Sequence, residues 1–459
     1  MKPRLALLAT LAPAGLLALS LAACGDLLGL KDLQPYPDGG LDSGEDAPPD
    51  GTSGGDTGAP PGDGSGPDAG DAQNGTDSGV ERDGPGSTDG PAPDSSPLDS
   101  GTVDAPEDTT HPVDAPVDAP VDTSTAPDSS CTSGSQTDSH NCGTCGHDCL
   151  LGTCSAGLCQ PFTIASGVTA YDMVASSGTL YWVDQVQTTG NVWTCKITGN
   201  KCNAQTFASG QNMPERITLG GASNGTVFWS NYGSGSAADG SIASLPLAGG
   251  TPTTLTSGLW TPVGIAADTS YVFWAESYAP TPQIVRRPLG SSTTSSLPTG
   301  AGSIPTAVTL SAAVVYWSDA ESSSTGSVNS SNEGSLSQAT LLGSQNQPWS
   351  IAVNSTYVYW TDDANPGAVW QYTINGAGAK KQLSSAEINP ILIASDNGYA
   401  FWIDVGTSTG FNGKVVEWDE ATGAATDRAT ALDQPVALAI DSNAVYFATL
   451  DGTLYMMVR

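Results

Sequence analysis

The sequence predicts an all-β fold: a seven-bladed β-propeller of four-stranded blades whose last blade is closed by the domain's own N-terminal strand. A disordered tether and a small disulfide-rich module are expected to precede it. Three observations carry this prediction. An aromatic pair recurs seven times, at Tyr181-Trp182, Phe228-Trp229, Phe273-Trp274, Tyr316-Trp317, Tyr359-Trp360, Phe401-Trp402 and Tyr446-Phe447, with spacings of 47, 45, 43, 43, 42 and 45 residues. A period of about 44 residues with four short strands per unit is that of propeller blades. The units are also phased internally. Pro262, Pro305, Pro348, Pro390 and Pro435 each precede the second aromatic of their pair by 12 residues, and Ala170 takes that place in the first unit. Only Pro214 departs, 15 residues before Trp229, which implies a longer first hairpin. Finally, the C-terminal "GTLYMMVR" supplies only a third strand, whereas "FTIASG" from Phe162 matches a fourth strand such as "TFASG" at Thr206 to Gly210. Joining the two ends removes the edges an open sheet would expose.

The expected organisation runs 1–23 signal, 24–130 tether, 131–160 cysteine-rich module and 161–459 propeller. Met1-Lys2-Pro3-Arg4 is basic, and an apolar stretch from Leu5 to Ala23 ends in "LAAC", the layout of a secretory signal. Pro13, Gly15 and Ser20 interrupt the stretch, which favours a removed signal over a membrane span. With Ala22-Ala23 before Cys24, these residues resemble the lipobox of bacterial lipoproteins. That resemblance implies diacylation of the Cys24 thiol, cleavage before it, and acylation of the freed amine, more than the two signals stable anchoring needs. The implied partner is a lipid bilayer, and the implied location is the bacterial cell envelope, at the outer membrane or cell surface.

The formal net charge is -33, which excludes nucleic acid as an expected partner. Its distribution is uneven. Between Pro35 and Ser130 there are 22 acids against one base, Arg82, whereas from Phe162 onward there are 21 acids against 10 bases. The tether is Asp, Gly, Pro, Ser and Thr with few large apolar side chains, and "VDAP" recurs at Val103, Val113 and Val117. Such a chain cannot bury enough surface to offset its conformational entropy. It is read as a spacer averaging roughly 50 to 60 Å end to end, extended further by carboxylate repulsion.

Cysteines follow at 131, 142, 145, 149, 154 and 159, with His140 and His147 among them. Cys142, Cys145 and His147 offer the ligand types of a zinc site. Export favours disulfides instead, because a module this small needs staples to hold its shape. Cys131, Cys142, Cys145, Cys149, Cys154 and Cys159 are therefore expected to pair, in a connectivity the spacing leaves open. Cys195 and Cys202 flank "KITGNK" and are expected to staple the first blade by on the order of 2 kcal/mol.

Within the blades, "PVGIAADTSYVFW", "PWSIAVNSTYVYW" and "PVALAIDSNAVYF" alternate small and large residues and then turn on Asp or Asn. Gly264, Ala266, Ser350, Ala352, Ala437 and Ala439 would share one face and leave room for bulky side chains of the neighbouring blade. Tyr359-Trp360-Thr361-Asp362, with near matches at Tyr181 to Asp184, Tyr316 to Asp319 and Phe401 to Asp404, resembles the YWTD family of extracellular propellers found in lipoprotein-receptor ectodomains. NHL-type propellers are a looser match. The YWTD family usually has six blades where this sequence has seven units.

All three histidines, His111, His140 and His147, lie before the propeller. The repeat region thus lacks imidazole for general-base work, nucleophile activation or metal ligation, and the expectation is a non-catalytic module that binds a protein or a glycan. The alternative is a calcium-dependent, carboxylate-only enzyme of lactonase or hydrolase type. No other cofactor is expected. Asp184, Glu276, Asp319, Asp362 and Asp404 occupy equivalent places in five units, so they read as a hydrogen-bonding device. Asp363, which no other unit repeats, reads as a solvated loop residue. Asp172 and Glu215, near the starts of inner strands, are the channel candidates. Tyr232, Trp260, Tyr278, Trp349 and Phe411 are the candidate aromatic anchors on the loop face. The segments Asn231 to Ser241, Asp319 to Gly334 and Asp404 to Gly413 are expected to be the long variable loops.

Overall fold

The computed structural model describes residues 134–321, 325–364, 366–374, 378–396, 398–407 and 409–459. Cys24, Cys131 and the tether lie outside them. Seven antiparallel sheets follow one another along the chain, one for each predicted unit; six have four strands, and blade 1 adds to its four the two-residue strand Lys201–Cys202, paired to its third. Blade 1 begins with the inner strand Asp172–Ser176, and later inner strands are Pro214–Gly220, Pro262–Ala267, Pro305–Ser311, Pro348–Val353, Pro390–Ser395 and Pro435–Ile440. Blade 7 takes its outer strand from Phe162–Ala165, which pairs antiparallel with Leu454–Val458. The ring is closed as the mismatched ends predict. Among the described residues no helix is long and apolar enough to cross a membrane.

The turn residues explain the first hairpins. Asp268 Oδ1 accepts from the N–H groups of Ser270 and Tyr271 at 2.6 and 2.7 Å. Asn354 Oδ1 accepts from Thr356 and Tyr357, each at 2.8 Å, and Asp441 Oδ1 accepts from Asn443 and Ala444 at 2.9 and 3.0 Å. A short polar side chain thus reinforces a turn that the backbone also closes, the N–H groups of Asp268, Asn354 and Asp441 each donating to the carbonyl three residues on at 3.0 Å. The longer first hairpin of blade 2 holds a single 3-10 turn, Ala222–Asn224.

Six of the seven hairpins set the aromatic opposite a branched residue of the inner strand, Ile217 opposite Trp229, Ile265 opposite Trp274, Val308 opposite Trp317, Ile351 opposite Trp360, Ile393 opposite Trp402 and Leu438 opposite Phe447, while blade 1 sets Met173 opposite Trp182. The small residues sit under the next blade. Ala437 and Ala439 share a buried cluster with Trp182 across the closing seam, Ala352 shares one with Trp402, and Ala266 one with Trp317. Six tryptophans of the repeat are below 2% exposed, so the core is distributed between neighbouring blades.

A second repeated contact was not foreseen. A Cβ on Gly190, Gly240, Gly326, Gly367 or Gly413 would lie 2.4 to 2.5 Å from the Cδ of Pro214, Pro262, Pro348, Pro390 or Pro435, respectively. The third strand of one blade therefore starts with glycine because the proline ring of the next inner strand presses against it.

The segment Asp319 to Gly334 is not the long loop expected, because Gly326–Asn332 is the third strand of blade 4. Its polar sequence misled. Asn329 and Ser331 are buried there, with Asn329 Nδ2 donating to Ser327 Oγ at 2.8 Å.

In the cysteine-rich module Cys142 pairs with Cys154 and Cys149 with Cys159, and Cys145 is also disulfide-bonded. The sulfurs of Cys142, Cys149 and Cys159 lie within 4.8 Å of one another because two disulfides are adjacent. His147 Nδ1 lies 2.9 Å from the Cys142 carbonyl, and the thiolates that zinc would require are consumed. The module packs against Val458 of blade 7. Cys195 pairs with Cys202 across the predicted hairpin.

Candidate functional site

The repeated acids bond within their own blades, to backbone N–H groups at strand starts or to a tryptophan Nε1. Asp404 accepts from the N–H groups of Ile388, Asn389 and Gly406 at 2.9, 2.8 and 3.1 Å. Asp319 accepts from Ile304 N–H at 2.7 Å and from the Ser303 hydroxyl. Asp184 accepts from Asn191 N–H at 2.8 Å and from Trp193 Nε1 at 2.9 Å. Asp362 accepts from Trp370 Nε1 at 2.6 Å, and Glu276 from Trp274 Nε1 at 3.0 Å. These five carboxylates are spread around the ring, each spent on its own blade.

Asp363 differs from the expectation of a solvated loop residue. It is only partly exposed, and burial pushes its carboxyl up to about 6 with no neighbouring charge contributing. Its N–H donates to the Gln347 carbonyl at 3.0 Å, as the Tyr232 N–H does to Met213 at 2.8 Å.

The ring departs from its repeat at one sector. Val263-Gly264, Thr306-Ala307, Trp349-Ser350, Ile391-Leu392 and Val436-Ala437 follow the inner-strand prolines of blades 3 to 7, whereas blades 1 and 2 carry Tyr171-Asp172 and Glu215-Arg216 there. Glu215 is buried. Its Oε1 accepts from the Tyr171 hydroxyl at 3.2 Å and its Oε2 from Gln185 Nε2 at 2.6 Å. Burial pushes the Glu215 carboxyl up, and the Arg216 guanidinium draws it back. The same two influences hold Asp172 at about 6, with the neighbouring Glu215 a lesser upward push. Arg216 also lies over the Tyr171 ring, 5.1 Å from its centroid.

Asp172 has a structural duty as well. Its Oδ2 accepts from Ile217 N–H at 3.0 Å, and Ser350 Oγ accepts from Ile393 N–H at 3.3 Å in the corresponding place between blades 5 and 6. It stitches two inner strands together. An acid does in blade 1 what a hydroxyl does in blade 5, so the charge itself exceeds the structural need.

Of the predicted anchors, the structure gathers Asp172, Glu215, Tyr232 and Tyr278 in this sector. Tyr232 is buried, and burial with Tyr278 and Glu215 beside it pushes its phenol well up. Tyr278 is 48% exposed, and its N–H donates to Thr261 Oγ1 at 3.2 Å, which brings the half-buried Trp260 close. Trp349 is half-buried and belongs to the opposite wall of the channel, where a cavity of about 290 Å³ is lined by Asp172, Arg216, Trp349, Ile351, Leu392 and Leu438. Phe411 stands apart on blade 6 at 71% exposure. Tyr171, Gln185 and Arg216 were missed by sequence reasoning. Superposing the seven units and reading where the inner strand breaks its pattern would have found the first and last.

No protein-family model and no curated protein matches the chain. Among solved structures it is similar to virginiamycin B lyase from Staphylococcus aureus, with a TM-score of 0.52 and 12% identity over 65% of this chain and 98% of the lyase. A catalytically inactive histidine-to-alanine variant of that lyase with quinupristin gives 0.50 at 13% identity over the same shares. U3-55K gives 0.52 at 9% identity, again over 65% and 98%. Identities this low show a common propeller fold, which one chemistry does not own.

Proposed function

We propose that this chain is an exported, lipid-anchored protein of the bacterial cell envelope whose propeller is a non-catalytic module binding a protein or glycan at the channel mouth of blades 1 to 3. The observation that carries the reading is the bonding of the two mouth carboxylates. Glu215 has both oxygens engaged by neighbours of the chain, Asp172 caps a backbone N–H, and Arg216 stands beside both. A general acid–base pair or a divalent-cation site needs carboxylate oxygens turned toward a shared open point, and Arg216 opposes a cation there. The aromatic-pair motif, which resembles that of extracellular YWTD propellers, accords with an interaction module.

The binding reading is tested by screening the full chain against glycan and peptide arrays, then repeating the best hit with Tyr278→Ala. Its exposed ring contributes little to the fold, so affinity should fall by about tenfold while the melting temperature stays unchanged. A hit indifferent to Tyr278→Ala and to Arg216→Gln would place recognition elsewhere. For the anchor, labelled palmitate should be incorporated by the native chain and lost in Cys24→Ala. Label that persists in the variant would remove the lipoprotein assignment.

A further inference from the structure

A cleft at the seam of blades 7 and 1 has a filled counterpart at the seam of blades 4 and 5, and the difference between the two indicates what the open one takes. In blade 5 Trp360 and Trp370 are cross-strand partners with ring centroids 6.4 Å apart, and Trp370 Nε1 donates to Asp362 Oδ2. Lys380 lays its ammonium on this pair, 3.4 Å from the Trp370 centroid and 5.3 Å from that of Trp360, and donates to Gln345 of blade 4. Blade 1 repeats the constellation. Trp182 and Trp193 are cross-strand partners 6.5 Å apart, and Trp193 Nε1 donates to Asp184 Oδ2.

The strand register extends the correspondence. Trp370 and Gln371 oppose Gln382 and Lys381, as Trp193 and Thr194 oppose Thr206 and Gln205, so Ala204 stands where Lys380 stands. On the facing strand Gln345 opposes Gly326, while Val168 N–H donates to Gly452 at the same place in blade 7, so Val168 stands where Gln345 stands. The lysine and its acceptor are thus both truncated to small apolar residues. What opens is a cavity of about 600 Å³ lined by Trp182, Trp193, Asp184, Val168 and Ala204, a volume ordinary for a small-molecule site. Among the described residues, cation–ring contacts fall on Tyr171, Tyr271, Trp360, Trp370, Tyr399, Phe401 and Trp418, and none on Trp193.

We propose that this seam cleft binds a small alkylated ammonium ligand, a quaternary amine of the choline type, seated on Trp193 with Asp184 as counter-charge. The chain's own Lys380 shows that a cation is accommodated by this Trp-Trp-Asp arrangement. An indole face attracts a cation through its quadrupole, most strongly when water is excluded. Val168 removes the acceptor that Gln345 offers Lys380. A nitrogen bearing hydrogens would forfeit that hydrogen bond, whereas a fully alkylated one has none to lose. Lys201 also lines the cleft, but it is exposed at the rim and free to turn toward water. The Cys195–Cys202 disulfide fixes the hairpin that forms this wall.

The test is a titration of the full chain with choline and with tetramethylammonium, followed by tryptophan fluorescence and calorimetry. Saturable binding is expected, weakened by at least about tenfold for the uncharged isostere in which a tert-butyl group replaces trimethylammonium. Ala204→Lys should abolish binding in a folded protein by installing the arrangement of blade 5, and Lys201→Ala should preserve or tighten it. Should Ala204→Lys fail to fold, Trp193→Leu is expected to lose binding. No saturable change in the native chain, equal binding of the uncharged isostere, or binding that survives these cleft substitutions would overturn the proposal.

Discussion

Replacing Trp360 by alanine is expected to lower the unfolding free energy by about 3 to 5 kcal/mol, read as a shift of the denaturant midpoint at unchanged slope. The side chain is fully buried, opposes Ile351 within its own blade and stacks on Trp370. It also packs in one cluster with Tyr316 and Val328 of blade 4. Its loss therefore opens a void between two sheets that can collapse only by moving a blade, the circumstance in which large-to-small substitutions cost most. A fall below about 1 kcal/mol, the range of ordinary surface substitutions and mild repacking, would show that the blades do not depend on this interlock.

Replacing Asp363 by asparagine is expected to do the opposite and stabilise the protein at neutral pH. Burial holds this carboxyl at about 6 in the folded chain, above its value of about 3.9 in an unfolded one. The folded state thus binds the proton more tightly, so the contribution of Asp363 to stability falls as pH rises from about 4 to about 6 and stays low above that. Asparagine removes the charge while nearly keeping the shape. The variant should gain about 1 to 2 kcal/mol at pH 7.5, allowing for the part of the side chain still in water, and no more than about half a kcal/mol at pH 4. Unfolding curves of both proteins at the two pH values decide it: a gain of equal size at both, or a loss at pH 7.5, would contradict the assignment.

The architecture was legible because it is written seven times. The aromatic pairs fixed the period, the prolines fixed the phase, and the unmatched strands at the two ends fixed the closure that Phe162–Ala165 makes with Leu454–Val458. Repetition also allowed Asp184, Glu276, Asp319, Asp362 and Asp404 to be read as scaffold, since a feature present in five of seven sectors does not by itself single out one of them. Less legible was whatever depends on a partner from another blade. The glycine–proline seams join residues 22 to 24 positions apart across a sheet boundary, and the burial of Asp363 is set by neighbours its own loop sequence does not name. Polar strands hid as well, since Gly326–Asn332 has the composition of a loop and is held as a strand by pairing on both sides. At the channel mouth, Asp172 and Glu215 were found by their position at inner-strand starts. Arg216, whose charge disfavours a metal there, breaks the same inner-strand pattern in the sequence, but its place beside both carboxylates is set by the packing of the two blades.

That last point is where a binding module and a calcium-dependent enzyme part most sharply. Thermal unfolding of the full chain in millimolar calcium and in excess chelator tests it directly. With Glu215 bonded to Tyr171 and Gln185, Asp172 bonded to Ile217 and Arg216 beside both, the two curves should coincide, because an ion that does not bind the folded state cannot stabilise it. A melting temperature raised by several degrees in calcium, abolished by Glu215→Gln, would contradict the account and make the mouth a metal site.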